Sequence, residues 1–325
     1  MGFFRLTILL FLTPFTTSSV NPDRMDSPRF TLRSLSFSSI PFYLFFIVAG
    51  LSILLTYRLY WVSGSNPFPR KPEDFKSAPK IFSHIDQLKM ITLKDPKNMA
   101  VWTDLAVDYF QLGPDHYVEA LEALERAKEA GSLDSRLFYY AGIMYESKGF
   151  PDYARPEYER FLQHYPHDSE VRMRLANLYY RLNDLDAALE NYEQLYEDNP
   201  LDPLLSLNLA LTYRDKQRPE DALNVLMNLV KNGQTLSGTA CKLFGDLKAQ
   251  KEDWNGAAEY YQKAIDQKPD DIAALEAMAL IQDRLNNPEQ ALSLWQKVVS
   301  INPKHKEAPR MVSKLKKRLR SLKKK

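Results

Sequence analysis

A single cysteine, Cys241, is all the sulfhydryl chemistry the 325 residues offer, which excludes an internal disulfide framework and a cysteine-built zinc site. The scarcity leaves the compartment open, because chains without disulfides are tolerated on either side of a membrane. No glycine-rich phosphate loop, Gly-x-Ser-x-Gly elbow or His-Glu-x-x-His pair occurs anywhere in the chain. His164 and His167 in "FLQHYPHD" flank Pro166 with no third ligand paired to them in sequence, so they read as turn residues. Cys241 has no histidine near it and reads as a packed thiol. The carboxylates of "EALEALERAKEA" and "ENYEQLYEDNP" read as the solvated faces of helices. No catalytic residue, no metal site and no cofactor is expected. The formal net charge is only +2, although the last 22 residues hold eleven Lys or Arg against one acid, Glu307.

What is present divides by texture. Between Arg33 and Arg58 stand 24 uncharged residues, centred on "IPFYLFFIVAGLSILLTY". As a helix, that run is long enough to cross a hydrocarbon core of about 30 Å. A transmembrane helix is therefore expected over residues 40–62, with Tyr57, Tyr60 and Trp61 at the headgroup level and Arg58 snorkelling. The preceding segment, 1–39, contains "FFRLTILLFLTPF", which reads either as a signal peptide cut near "TTSSV" or as sequence upstream of a start at Met25. Residues 63–80, "SGSNPFPRKPEDFKSAPK", carry four prolines and read as an extended tether. Arg58, Arg70, Lys71, Lys76 and Lys80 after the span outnumber Arg24, Arg29 and Arg33 before it, a lean toward a cytoplasmic domain. A short tail ahead of a signal anchor argues for the opposite, extracytoplasmic side. The expected location is a single-pass membrane protein with the side of the domain undecided.

From residue 81 onward the texture is helical and repeats. Ala120, Ala154, Ala188, Ala222, Ala257 and Ala291 are spaced by 34, 34, 34, 35 and 34 residues. Four residues after each comes a large apolar side chain: Leu124, Tyr158, Tyr192, Leu226, Tyr261 and Trp295. A proline closes four of the six copies, with Ser132 and Gln234 in its place in the others. Upstream, Ala106, Gly142, Ala176, Ala210, Gly245 and Ala279 keep the same register, and Tyr109, Tyr145, Tyr179 and Tyr213 follow in the first four copies. Each copy reads as a helical hairpin in which small residues let two backbones approach and the proline ends the second helix. Asn98, Asp168 and Asp202 stand where the following helices need N-caps.

This pattern resembles the tetratricopeptide repeat, Trp-x2-Leu-Gly-x2-Tyr, then Ala-x3-Phe, then Pro; "WTDLAVDY" at 102–109 is the nearest upstream match, and the resemblance covers about residues 99–305. It implies an all-α fold, a right-handed superhelical solenoid of six hairpins over 81–303. A half repeat at 81–98 starts it, and the basic helix 304–325 caps it through Ala308, Met311, Val312, Leu315, Leu319 and Leu322. Repeat one carries two extra residues near "QLGPDHY", and a softened joint is expected at "KNGQTLSGT".

The resemblance also implies a function in binding proteins. The family lines its groove with one face of each first helix, here Phe110, Tyr139, Ile143, Met173, Asn177, Tyr180, Arg181, Leu207, Leu211 and Arg214. An extended or helical peptide with apolar anchors and an acidic group suits that mixture, with Arg181 and Arg214 as its charge partners. Asn177 lacks the neighbouring lysines of the family's carboxylate clamp, so that activity is not carried over. The expected chain is a membrane-tethered, non-catalytic scaffold for protein partners. Its basic C-terminal helix has contact with anionic lipid as a rival use, and nucleic acid as the less favoured one. Single-anchor chains of this order resemble bacterial envelope assembly factors, including the repeat modules of cytochrome c maturation. An accessory subunit of a membrane enzyme is the remaining alternative.

Overall fold

The computed structural model describes residues 68–322; the expected membrane helix at 40–62, segment 1–39 and residues 63–67 lie outside the described residues. No helix among those described is long and apolar enough to cross a membrane. Among the described residues fourteen α-helices follow one another. The first, α1 (Ala78–Lys94), is the half repeat. Six hairpins come next: α2 (Met99–Gln111) with α3 (Tyr117–Glu129), α4 (Arg136–Ser147) with α5 (Pro151–His164), and α6 (Ser169–Arg181) with α7 (Leu185–Asp198). The series continues with α8 (Pro203–Asp215) and α9 (Pro219–Lys231), α10 (Gly238–Gln250) and α11 (Trp254–Gln267), then α12 (Ile272–Arg284) and α13 (Pro288–Ile301). The last helix, α14 (Ala308–Leu322), packs on α13 through Ala308 and Leu315.

The local signals do what the sequence asks of them. Asn98, Asp168 and Asp202 each accept a hydrogen bond from the backbone N–H three residues on, at 3.3, 3.0 and 2.8 Å. One otherwise orphaned donor at each helix start is thereby satisfied. The repeated alanines are fully buried, as is the large side chain four residues later, and Tyr158 and Tyr261 fill the space over Gly142 and Gly245 of the paired first helices. Neighbouring first helices pack directly on one another at α2–α4, α6–α8 and α10–α12, whereas second helices meet the next repeat chiefly through its first helix. The row of first helices is therefore the tighter, inner side of the stack.

Two ways of stopping a second helix are used along the chain. Where proline is present, the helix runs to two residues before it. Where Ser132 and Gln234 replace it, the helix stops earlier at a left-handed glycine, Gly131 (φ 93°) or Gly233 (φ 74°). Ser132 N–H then donates to Ala127 O and Gln234 N–H to Leu229 O, at 2.9 and 3.0 Å, the six-to-one bond of a Schellman turn. At these two junctions the second helix packs less closely on the next repeat than elsewhere. The looser packing at "KNGQTLSGT", where a softened joint is expected, has a counterpart after repeat one. The two extra residues of repeat one are taken up by a 3-10 turn, Pro114–His116.

First helices end on left-handed residues too, and two of these are Gln217 (φ 58°) and Glu252 (φ 59°), both exposed. An L side chain in that region costs about 1–2 kcal/mol, while glycine's extra freedom in the unfolded chain gives back about 0.4–1. Gln217→Gly and Glu252→Gly should each stabilise the protein by about 0.5–1 kcal/mol. Urea unfolding checks this; an equal or lower midpoint would contradict the strain argument.

Candidate protein-binding groove

The inner face is not uniform. Over the first three repeats it is already occupied, because residues 68–76 run across it instead of standing off as the extended tether expected over 63–80. Within that stretch Pro72–Asp74 form a 3-10 turn, and α1 begins at Ala78. The departure has a physical reason: Phe68 and Arg70 find burial and charge partners that a solvated linker lacks. The Phe68 ring meets Tyr139, Tyr140 and Phe161 edge-on at centroid distances of 5.2, 5.6 and 6.0 Å. The Arg70 guanidinium lies 4.6 Å from the ring centres of both Phe68 and Tyr139. It donates to both carboxylate oxygens of Asp168, at 2.6 and 3.1 Å, and to Glu170 at 3.2 Å. Tyr140 Oη donates to the carbonyl of Pro69 at 3.0 Å. Further along, Phe75 stacks edge-on against Phe110, and the N–H of Lys76 donates to Gln111.

Burial pulls the Arg70 pKa down, but the bonds to Asp168 and Glu170 outweigh it and leave the value above normal. Burial, then the Glu170 carboxylate, pushes the Tyr139 phenol up, so it remains the donor to Glu170 at 3.0 Å. The carboxylates are themselves held in place. Asp168 caps α6, while Glu170 accepts from Arg174, which also reaches Glu146.

Of the residues expected to line the groove, Phe110 and Tyr139 are buried here, 4% and 2% exposed, and each meets an aromatic ring of residues 68–76. Ile143, Met173 and Leu207 are half-buried and pack onto the core. Asn177, Tyr180, Arg181 and Leu211 come together, joined by Tyr192 and Asn208, in a cleft of about 200 Å³ between α6 and α8. Asn177 Oδ1 accepts from Tyr192 Oη at 2.6 Å and from Asn208 Nδ2 at 3.1 Å. That leaves Asn177 Nδ2 and the side-chain Oδ1 of Asn208, both residues of the cleft lining, without a hydrogen-bond partner among the described residues. Burial pushes the Tyr192 phenol up and keeps it a donor. Arg214 is spent on Asp215 at 2.8 Å, whose other oxygen accepts from Tyr180 at 2.5 Å. Arg181 is exposed and makes no ion pair among the described residues, so of the two arginines expected as charge partners it is the one available.

Sequence reasoning did not find Tyr192, Asn208, Phe68 or Arg70. The tyrosine was absorbed by the repeat pattern, and the last two sat in a stretch read as linker. An aromatic and an arginine flanking one proline was the signal there. Elsewhere, Cys241 is 2% exposed, with Sγ 3.8 Å from the Leu236 carbonyl, and burial pushes its thiol up. His164 stacks on Phe138. No group of three metal-ligating side chains is found among the described residues. On α14, Leu315 is in the core and Arg318 donates to Asp283 and Asn286 at 2.5 and 2.8 Å, while Lys314, Lys316 and Lys317 are exposed.

Family profiles described as tetratricopeptide repeat match residues 141–190, 173–231 and 248–315. Among solved structures, the C-terminal part of a repeat-containing protein from Cytophaga hutchinsonii aligns with a TM-score of 0.57 at 18% identity, over 72% of this chain and 95% of that one. MamA from Desulfovibrio magneticus RS-1, from residue 41 to its end, aligns at 0.49 and 19% identity, over 53% of this chain and 97% of that one. The Cut9–Hcn1 structure aligns at 0.46 and 15% identity, over 74% of this chain and 46% of that one. No curated protein matches the sequence. With six registered hairpins, their caps and the small-to-large packing between paired helices, the chain is a tetratricopeptide-repeat protein over the matched stretches 141–231 and 248–315.

Proposed function

We infer that the protein is a non-catalytic scaffold, tethered to a membrane through residues 40–62, which holds partner proteins in the cleft between α6 and α8. The observation that carries the binding role is internal: the inner face of this solenoid already accepts an extended peptide, residues 68–76, through aromatic rings, one backbone acceptor and a paired arginine. The cleft beside it offers the same kinds of group unfilled. Leu211 and the Tyr180 ring give apolar surface, Asn177 and Asn208 give amide groups for a peptide backbone, and Arg181 gives a free cation for an acidic side chain. The tether rests on the uncharged run alone. On α14 Ala308 and Leu315 are buried against repeat six and Met311 and Val312 pack onto the same core, which favours its reading as a cap.

A photo-crosslinking residue placed at Leu211 in the full chain, compared in cells with one at the exposed Glu197 on α7, tests the reading. Discrete protein adducts at position 211 that are absent at 197, and that weaken with Arg181→Glu, are the expected result. Equal labelling at both positions would sink it.

A further inference from the structure

The contact between Phe68–Arg70 and the inner face of repeats two and three has the form of a receptor with its ligand in place. The walls are built without help from the strap. Asp168 is fixed as the N-cap of α6, bonded to Val171 N–H at 3.0 Å. Glu170 is held by Tyr139 Oη at 3.0 Å and by Arg174 at 3.3 Å. Phe161 stacks on Tyr165 at 4.8 Å. Remove residues 68–70 and two positioned carboxylates remain beside an open aromatic box, a site organised before its occupant arrives. The occupant, by contrast, has little structure of its own. Lys71, Pro72, Glu73 and Asp74 are exposed, and the strap is gripped only at Phe68, Pro69, Arg70, Phe75 and Lys76.

We propose that this socket is a binding site for an extended segment of a partner protein bearing Phe-Pro-Arg chemistry, and that residues 68–76 occupy it in cis and shut it until such a segment displaces them. The side chains specify the class. A planar guanidinium is needed to meet Asp168 through two parallel bonds while lying against the Tyr139 ring, which a lysine ammonium cannot do. The aromatic two positions earlier fills the space among Tyr139, Tyr140 and Phe161. Proline between them suits an extended backbone whose carbonyl is read by Tyr140. The site is distinct from the cleft between α6 and α8, and stands whether or not that cleft takes a partner. Because the strap is tethered, its local concentration is in the millimolar range, so a free segment competes at a disadvantage of at least tenfold.

The test uses the full chain in detergent and a fluorescent peptide of residues 68–76, FPRKPEDFK. A Phe68→Ser/Arg70→Ser chain, with the socket vacated, should bind the peptide saturably and at least tenfold more tightly than the wild-type chain does. Changing the peptide's arginine to lysine, or adding Glu170→Arg to the vacated chain, should cost tenfold or more. A wild-type sequence carrying a protease site between Lys76 and Ser77 supplies a second route: once cut, the chain should take up peptide as the vacated one does. Vacated and cut chains that bind no better than the wild type would overturn the proposal, as would indifference to the arginine. Wild-type dimers that exchange straps on concentration would overturn the partner reading in favour of a second copy of this chain.

Discussion

Gly142→Ala should lower the stability of the second repeat by about 1–2 kcal/mol, the opposite of what alanine does in most helices. On an exposed helical face the change gains about 1 kcal/mol of helix propensity. Here a Cβ would run into the Tyr158 ring, 2.9 Å even from its Cζ, and that ring is fully buried with its hydroxyl bonded to Glu146 at 2.7 Å. Overpacking of this kind costs about 1–3 kcal/mol, and a ring closed in on all sides has nowhere to go, so the clash wins. The chain itself supplies the remedy. Repeats one and four pair alanine with leucine at these positions, Ala106 with Leu124 and Ala210 with Leu226. Tyr158→Leu alone should cost about 2–3 kcal/mol in lost packing and a lost hydrogen bond. The double variant Gly142→Ala/Tyr158→Leu should be no worse than Tyr158→Leu, a coupling of at least about 1 kcal/mol in a double-mutant cycle. Additive costs, measured by denaturant unfolding, would show that the ring can move aside.

Arg70→Ala should free residues 68–76 from the inner face. Removing one partner of a buried ion pair costs about 3–5 kcal/mol, and partial exposure of Asp168 (14%) and Glu170 (39%) brings this toward about 2–3. At about 1.4 kcal/mol per decade, exchange of the Asp74, Phe75 and Lys76 amide hydrogens should speed up by roughly 30- to 100-fold. These amides donate to Lys71 O, Pro72 O and Gln111 Oε1, bonds that exist only while the strap is down or its turn is formed. Arg70→Lys, which keeps the charge and loses the fork, should fall between. Exchange within α13 should not change. Unaltered exchange across 68–76 in Arg70→Ala would mean that Phe68 and Phe75 suffice to hold the strap.

The repeat was readable because it is a packing rule written many times over. A small residue facing a large apolar one, and a proline or a Schellman glycine after the second helix, recur wherever these hairpins stack, so Ala154 and Tyr158 are informative together even though neither is alone. The N-caps at Asn98, Asp168 and Asp202 were legible for the same reason, being local consequences of unsatisfied amides. The site was legible only in part. Register placed Asn177, Tyr180, Arg181 and Leu211 on one face, and those four do meet in the cleft. Register could not say that Arg214 is consumed by Asp215, since that depends on side-chain directions at the end of one helix. Nor could it say that Phe110 and Tyr139 are covered, because what covers them comes from outside the periodic region. Arg70 and Asp168 are 98 residues apart and belong to no shared pattern; only the folded solenoid brings them together.

The strap also decides how the molecule bears load. Tension applied to the chain ahead of Phe68 does not first reach α1, the next helix in sequence. It is diverted at Phe68 and Arg70, through the paired bonds to Asp168, into the start of α6. The helices α1–α3 lie in a loop closed by that grip and feel no pull until it slips, while α4 and α5 share the load through Tyr139, Tyr140 and Phe161. A solenoid drawn from its end ordinarily peels one helix at a time. This one instead resists as a clasp does, with a single yield point at the third repeat, after which the first two can unwind.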